Sequence, residues 1–230
     1  MRTLEIVAKW LFILCLPVLL LSTSIGWAFN SLWLYKSGFE IYNISQTTGL
    51  AKEELENVAT ELRNYFTSDE EYISLTAIKD NETLVLFNQR EVAHLKDVKG
   101  LIWLDYWIWL GTLIYVLAYA GVSLLWWKIG RQLAWAVVGG SCIALCIIMT
   151  MWIGSTLLNF QQLFNQFHFL AFTNELWILD PTKDYLIMLF PPEFWQYAAT
   201  LWAIGIVGMA VILGGVSGGY LLVTRNKAVS

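Results

Sequence analysis

The two histidines of this 230-residue chain are its strongest candidates for chemistry. With helical spacing, His168 falls on one apolar stripe with Phe160, Phe164, Phe167 and Phe172. That stripe would face lipid or a helix bundle, not open water. An imidazole gains and loses protons near neutral pH, so the pattern indicates acid–base chemistry beside an apolar surface. The alternative is an amphipathic interfacial helix with an incidental histidine.

The second histidine lies in a polar stretch, residues 88–99, that we predict to be helical. On a helix, Arg90, His94 and Asp97 share one side at positions i, i+4 and i+7. The alternative is a solvated ion pair beside a histidine. Zinc held by His94, His168 and Asp97 is conceivable, but neither H-x-x-x-H nor H-E-x-x-H occurs and a third firm ligand is not identified. We therefore expect no metal.

Two other kinds of catalytic motif are missing from the sequence. There is no glycine-rich phosphate loop and no cysteine outside the apolar runs. Cys15, Cys142 and Cys146 read as small hydrophobic residues. Histidine-assisted direct transfer without a cofactor remains.

Composition places the chain among integral membrane proteins. Hydrophobic residues make up 57% of it, 13 residues are Trp, and the mean hydropathy is +0.57. A net charge of -4 without a basic cluster argues against nucleic acid as a partner.

Four apolar runs of about 20 residues or more predict four transmembrane helices. They cover residues 10–29, 103–127, 133–158 and 195–223. The first is expected to be an uncleaved signal anchor. The four-residue turn Lys128–Arg131 makes the second and third spans an antiparallel pair. In the fourth span, a face for close helix packing is predicted from Gly205, Gly208, Gly214, Gly215, Gly218 and Gly219.

Residues 31–100 carry most of the charge and predict a small α+β insertion between the first and second spans. A helix from about Leu50 to Phe66 would be capped by Thr48, and strands at 72–78 and 83–87 would flank a turn at 79–82. The predicted fold is thus a mainly α membrane protein. Its parts are residues 1–30, 31–100, 101–158, 159–194 and 195–230.

Basic residues predict the orientation. By the positive-inside rule, both termini are cytoplasmic in a bacterial plasma membrane, because the basic residues outside the insertion concentrate on one side: Arg2, Lys9, Lys128, Arg131, Arg225 and Lys227. The insertion and the interfacial segment 159–194 would then be extracytoplasmic. Both histidines share that face, where coenzyme A is lacking, so an acyl donor must already lie in the outer leaflet.

Two groups of residues carry a family resemblance. One is R-E-V-A-H-L-K-D-V-K at 90–99; the other comprises Asn159, Phe160, Phe164, Phe167, His168, Phe172, Asn174, Trp177, Pro181, Asp184, Leu186, Ile187, Phe190, Pro191 and Phe194. Over nearly its whole length the chain resembles the bacterial lipoprotein intramolecular transacylase family. Leu95 stands where the family usually has methionine, a volume-conserving change.

The resemblance implies a membrane acyltransferase. It would move the sn-2 acyl chain of a diacylglyceryl lipoprotein to the α-amino group of the N-terminal cysteine, giving a lyso-form N-acylated lipoprotein. His94 and His168 match the family's essential pair. The implied partners are the diacylated lipoprotein N-terminus and membrane lipid, and the oligomeric state stays open.

We assign catalytic roles to four residues. His168 would act as general base, and His94, held by Arg90 and Asp97, would stabilise the oxyanion, with no covalent enzyme intermediate. The substrate-binding residues expected are Phe164, Phe167, Phe172, Asn174 and Trp177. Two alternatives remain: a non-enzymatic sensor or accessory protein with a partner-binding outer domain, and an acyltransferase that uses a phospholipid donor.

Overall fold

A computed structural model describes residues 2–226, so Met1 and the end of the predicted basic tail, residues 227–230, lie outside the described residues. The elements follow in chain order: α1 (Arg2–Asn30), α2 (Leu32–Ile41), α3 (Ile44–Thr48), α4 (Lys52–Thr67), β1 (Thr76–Lys79), β2 (Glu82–Val85), α5 (Gln89–Gly121), a π-helical turn (Val122–Trp126), α6 (Gly130–Leu158), α7 (Phe160–Ala171), α8 (Tyr185–Leu189) and α9 (Pro192–Asn226).

Four helices in this range are long and apolar enough to cross a membrane, namely α1, α5 with its π-helical turn, α6 and α9. They contain the four predicted spans, and the chain is a multi-pass membrane protein. Helix α5 begins at Gln89, well before the predicted start of the second span at Trp103. Its 33 residues measure about 50 Å, whereas a hydrocarbon core is about 30 Å thick. The polar first turns of α5 therefore extend beyond the apolar stretch.

The described chain divides into two compact units. The membrane unit comprises residues 2–25, 105–153 and 202–226. One of its cores joins α1, α5 and α6 around Phe12 and Tyr119, and another joins α1, α6 and α9 around Leu20 and Ile206. These apolar contacts hold the membrane-spanning parts of the helices together.

The predicted glycine face of α9 is correct at two positions only. A methyl group added to Gly205 would lie 3.1 Å from Ser24 Oγ, and one added to Gly214 would lie 3.2 Å from Ser141 Cβ. No described atom lies within 4 Å of the position a Cβ would take on Gly208, Gly215, Gly218 or Gly219. Helix contact is therefore close at two glycines of this stripe.

The second unit, Gly26–Leu104 with Gly154–Leu201, contains the α+β insertion and both histidines. Its long amphipathic helix α4 begins at Lys52, and the predicted cap at Thr48 is wrong. Thr48 instead ends the short helix α3, where its hydroxyl donates to Ile44 O at 2.7 Å and accepts from Leu50 N at 3.3 Å. The sequence analysis missed α2 and α3 because both are short and weakly periodic.

The predicted hairpin is present with shorter strands. β1 and β2 pair antiparallel, with Thr76 opposite Val85 and Lys79 opposite Glu82. The turn residues Asp80 and Asn81 both have positive φ, at 53° and 65°. Two positive φ values are typical of the two-residue turn that matches strand twist, and aspartate and asparagine tolerate them.

An aromatic core anchors α9 against the insertion. The rings of Phe190 and Phe194 pack on Tyr35 and Phe39 of α2, with centroids 5.5–6.5 Å apart. Phe194 is almost fully buried. Gly38 lies directly under its ring, where a Cβ atom would overlap the ring edge. Close approach of α2 and Phe194 thus requires glycine at this position.

Gly38→Ala is expected to lower the free energy of unfolding by about 1–3 kcal/mol, because the buried Phe194 ring has no space to move into. Unfolding of the purified protein in detergent measures the effect. Gly100→Ala in α5 is the matched control, since no described atom lies within 4 Å of that position; it should leave stability unchanged or raise it by up to about 1 kcal/mol. Equal stability of the two variants would contradict the prediction.

Candidate active site

The structure brings His94 and His168 together within the second unit. Their ring centroids lie 6.0 Å apart, with His94 in the second turn of α5 and His168 in the last turn of α7. Only 6% of His94 and 7% of His168 is exposed. This spacing allows one small group, such as an ester carbonyl, to touch both imidazoles.

Asn159 sets the start of the helix that carries His168. Its backbone has φ 51°, which interrupts the helical path after Leu158, and its side chain accepts a hydrogen bond from Gln162 N at 3.0 Å. This N-cap begins α7 as a separate helix. The phenylalanine stripe and His168 then follow with the helical spacing that the sequence predicts.

Aromatic rings surround the histidine pair. Phe172 lies beside both imidazoles, with its centroid 5.1 Å from that of His94. From the ring centroid of His168 the distances are 4.3 Å to Phe164, 5.0 Å to Trp177, 5.3 Å to Phe167 and 5.6 Å to Phe172. The four aromatic residues predicted to bind substrate therefore all border His168.

A backbone carbonyl determines which nitrogen of His168 carries the proton. Nδ1 lies 2.7 Å from Phe164 O, and a carbonyl oxygen can only accept a hydrogen bond. The neutral ring therefore has its proton on Nδ1 and its lone pair on Nε2. That lone pair is what a general base needs.

Burial keeps both rings uncharged. It lowers the pKa of His168 below its ordinary value of 6.5, an effect that the hydrogen bond to Phe164 O partly opposes. Nδ1 of His94 is buried and has no hydrogen-bond partner among the described residues. A buried polar atom left unpaired costs stability, and a substrate group that paired with it would recover that loss.

Arg90 and Asp97 flank His94 on α5, but the hydrogen bonds of their side chains reach another segment. The Arg90 guanidinium donates to Glu175 O at 2.6 Å, and Asp97 Oδ2 accepts from Asn174 Nδ2 at 2.8 Å. Asn174 is exposed and lies at this rim. We call residues 172–186 the cover, because this largely irregular stretch brings Phe172 and Trp177 against the imidazoles.

Three further polar residues tie the cover to α5, and their pattern in the sequence predicted no role for them. Asn88 is the N-cap of α5: its Oδ1 accepts from Glu91 N at 3.1 Å, while Glu91 Oε2 accepts from Asn88 N at 2.8 Å. The Asn88 amide also donates to Asp184 Oδ1 at 2.9 Å. The N-x-x-E spacing of a capping box was the available signal. Asp184 is among the residues that carry the family resemblance, but no spacing relates it to Asn88, nearly a hundred residues away.

The arrangement is suited to proton transfer beside an acyl chain. It combines a neutral base, a second imidazole with an unpaired nitrogen, and an apolar wall. Within residues 2–226, no three His, Cys, Asp or Glu side chains are grouped so that they could hold a metal ion.

A family model matches most of the chain. The model of "Lipoprotein intramolecular transacylase Lit" aligns with residues 10–195, which include both histidines and the cover. A comparison with curated protein sequences gave no match.

Solved structures of similar architecture exist. The membrane integral lipoprotein intramolecular transacylase Lit from Bacillus cereus matches with a TM-score of 0.82 at 20% identity, and the match covers 100% of both chains. Two variants of that protein, with one histidine replaced by arginine or by alanine, match with TM-scores of 0.78 and 0.77 at 19% identity. These matches cover 99% and 100% of this chain, and 96% and 97% of the respective variant chains. The similarity extends to the whole fold.

The lowered pKa of His168 can be tested directly, because the chain has only two histidines. We expect the ¹³Cε1 NMR signal of His168, assigned by its loss in His168→Gln, to titrate below pH 6.5. The unfolded chain binds a proton more readily. The stability contributed by neutral His168 is therefore complete above pH 6.5 and is lost as the pH falls from there through the folded-state pKa. A midpoint above 6.5 would contradict burial without a charged partner.

Proposed function

The chain belongs to the lipoprotein intramolecular transacylase family, and from that membership we propose the course of its reaction. The enzyme is an intramolecular lipoprotein acyltransferase of the membrane. In our proposal it moves the sn-2 acyl chain of a diacylglyceryl lipoprotein to the α-amino group of the N-terminal cysteine. The observation that carries the proposal is the buried imidazole pair 6.0 Å apart, with Nε2 of His168 free to accept a proton.

The reaction begins when the α-amine attacks the carbonyl carbon of the sn-2 ester. Free α-amino groups have a pKa of about 7.7–8.0, so part of the substrate is already uncharged near neutral pH. The N–H becomes strongly acidic once the C–N bond forms, and Nε2 of His168 accepts that proton. The lowered pKa of His168 keeps the ring unprotonated and ready for this step.

The tetrahedral intermediate carries a negative oxygen, which His94 stabilises by hydrogen bonding. Its Nδ1 has no hydrogen-bond partner within residues 2–226, so donating to the oxyanion satisfies a buried group that these residues leave unpaired. The ester C–O bond then breaks, and the proton held by His168 passes to the departing glycerol oxygen. An amide and a free sn-2 hydroxyl result, with no water consumed and no covalent enzyme intermediate.

Positioning supplies much of the rate, because the amine and the ester belong to one molecule. Groups held in reacting geometry can show effective molarities of about 10⁵–10⁸ M. Phe164, Phe167, Phe172 and Trp177 form the slot for the moving acyl chain, and Asn174 lies at its rim. Arg90 and Asp97 contribute by holding the cover through Glu175 and Asn174, not by contact with the imidazole.

The reaction takes place on the extracytoplasmic face of a bacterial plasma membrane. The positive-inside rule supports cytoplasmic termini, because Lys9 and Arg225 lie near the ends of the chain, Lys128 lies in the turn before α6 and Arg131 lies in the first turn of α6. Lipoprotein substrates anchored in the outer leaflet would meet the histidines there.

His168→Ala is expected to lower turnover by about 10²- to 10⁴-fold, since general base catalysis typically contributes that much. Mass spectrometry of a diacylated lipopeptide with a deuterated sn-2 chain measures the reaction: the wild type should move the label to the cysteine nitrogen without changing total mass. Gln161→Ala, at an exposed position on α7, is the matched control and should retain activity. A mass increased by an unlabelled acyl chain, taken from added phospholipid, would instead indicate a donor in trans. A lipopeptide left unchanged by the wild type would overturn the proposal.

Orientation is tested by labelling single cysteines in a chain whose Cys15, Cys142 and Cys146 are replaced. A membrane-impermeant maleimide applied outside intact cells should label Glu82→Cys at the start of β2. It should reach Arg131→Cys only after permeabilisation. Both positions are exposed, so access depends on the side of the membrane. The reverse labelling pattern would place the histidines on the cytoplasmic face and contradict the proposal.

A further inference from the structure

Two carboxylates are buried close to the active site without a cation. Glu91 is 1% exposed and Asp184 is 6% exposed. Among the described residues neither forms an ion pair; the four that occur involve other carboxylates. Burying a charge is costly unless hydrogen bonds compensate for the lost water. The hydrogen bonds of Glu91 and Asp184 must therefore offset the cost of burying them.

Glu91 connects two elements of the site. One of its oxygens closes the capping box with Asn88 N, and the other accepts from Leu186 N at 2.6 Å in a buried contact. Leu186 lies in the first turn of α8, at the end of the cover. Asp184 adds a second link through Asn88 and also accepts from Asp180 N at 2.7 Å. Helix α5 and the end of the cover are thus joined by one buried and one partly buried hydrogen bond.

Capping alone does not account for the burial of Glu91. A capping-box glutamate functions equally well in water, and the positive N-terminal end of α5 would favour it there too. The second oxygen, turned inward to a main-chain N–H of the cover, is the feature a cap does not need. A charge-assisted hydrogen bond is stronger than a neutral one, and burial excludes competing water.

The position of Glu91 relative to His94 gives this contact a consequence for catalysis. The two residues lie three apart on α5, so they share a helix face. The cover that Glu91 holds also carries Trp177, which packs on His168 with ring centroids 5.0 Å apart. Glu91 therefore links the face of α5 that carries His94 to the segment that carries Trp177.

We propose that Glu91 is a positioning residue for the transacylase reaction: its contact with Leu186 N holds the cover at the distance from α5 that keeps His94 and His168 in reacting geometry. This rests on the proposed function. Arg90 and Asp97 grip the same cover through exposed contacts, where water competes. Glu91 makes the water-free contact, so it sets the geometry, and a misplacement of about 1 Å can cost about 10²-fold in rate.

Two substitutions of Glu91 test this role. Glu91→Gln keeps an oxygen for one of the two N–H groups and loses the other contact, so we expect kcat to fall about tenfold. Glu91→Ala loses both, and kcat should fall about 100-fold or more, with KM within about threefold of wild type because the acyl slot is intact. Hydrogen exchange at Leu186, followed by mass spectrometry, should accelerate in Glu91→Ala.

The matched controls are Glu54→Gln and Glu54→Ala. Glu54 also accepts a main-chain hydrogen bond within the second unit, from Ile78 N at 3.0 Å, but Glu54 is only half-buried and this hydrogen bond is exposed. Both controls should keep wild-type kcat and unchanged exchange at Leu186. Rates are compared per folded enzyme, with unfolding temperatures recorded for all variants.

Wild-type kcat in folded Glu91→Gln and Glu91→Ala, or a change confined to KM, would overturn the positioning role. If Glu91→Ala does not fold, the isosteric Glu91→Gln decides alone, and a kcat within twofold of wild type overturns the proposal. A wild-type enzyme that forms no lyso product would overturn the proposed function and this role with it. Activity lost only in the Glu91 variants distinguishes the two cases.

Discussion

The site depends on keeping two imidazoles dry. Aromatic rings exclude water around His94 and His168, and without water the uncharged form of each ring is favoured. Orientation must then come from the few polar atoms within reach, and for His168 this is the carbonyl of Phe164 in the preceding turn. A base that stays neutral and is aimed by its own helix needs no carboxylate partner.

The cover, which helps to exclude water from the two imidazoles, has little regular structure. The cover closes on α5 through exposed contacts at Arg90 and Asp97 and through a buried contact at Glu91. Water competes with the exposed contacts, so they can open and re-form at small cost. The buried contact is harder to break. The cover is therefore held more firmly at Leu186 than at Asn174 and Glu175.

Intramolecular transfer suits a site with so few reactive groups. In the proposed reaction the nucleophile and the electrophile arrive in one substrate, so the protein needs to supply only a proton acceptor, a hydrogen-bond donor and an apolar slot. The aromatic wall performs two tasks, since the rings that keep His168 uncharged also offer the surface on which an acyl chain can lie. This economy explains why no serine or cysteine nucleophile is needed.

The sequence by itself determined the four apolar helices, the Asp80–Asn81 hairpin and the histidine on the phenylalanine stripe, because length, hydropathy and periodicity are properties of neighbouring residues. Tertiary structure alone decided that His94 meets His168, that Arg90 and Asp97 reach the cover instead of the imidazole, and that Glu91 binds Leu186 N, 95 positions along the chain. Periodicity records which face of a helix is apolar. Which faces meet is decided by packing between distant segments, so the partners of a buried polar group become visible only in the folded chain.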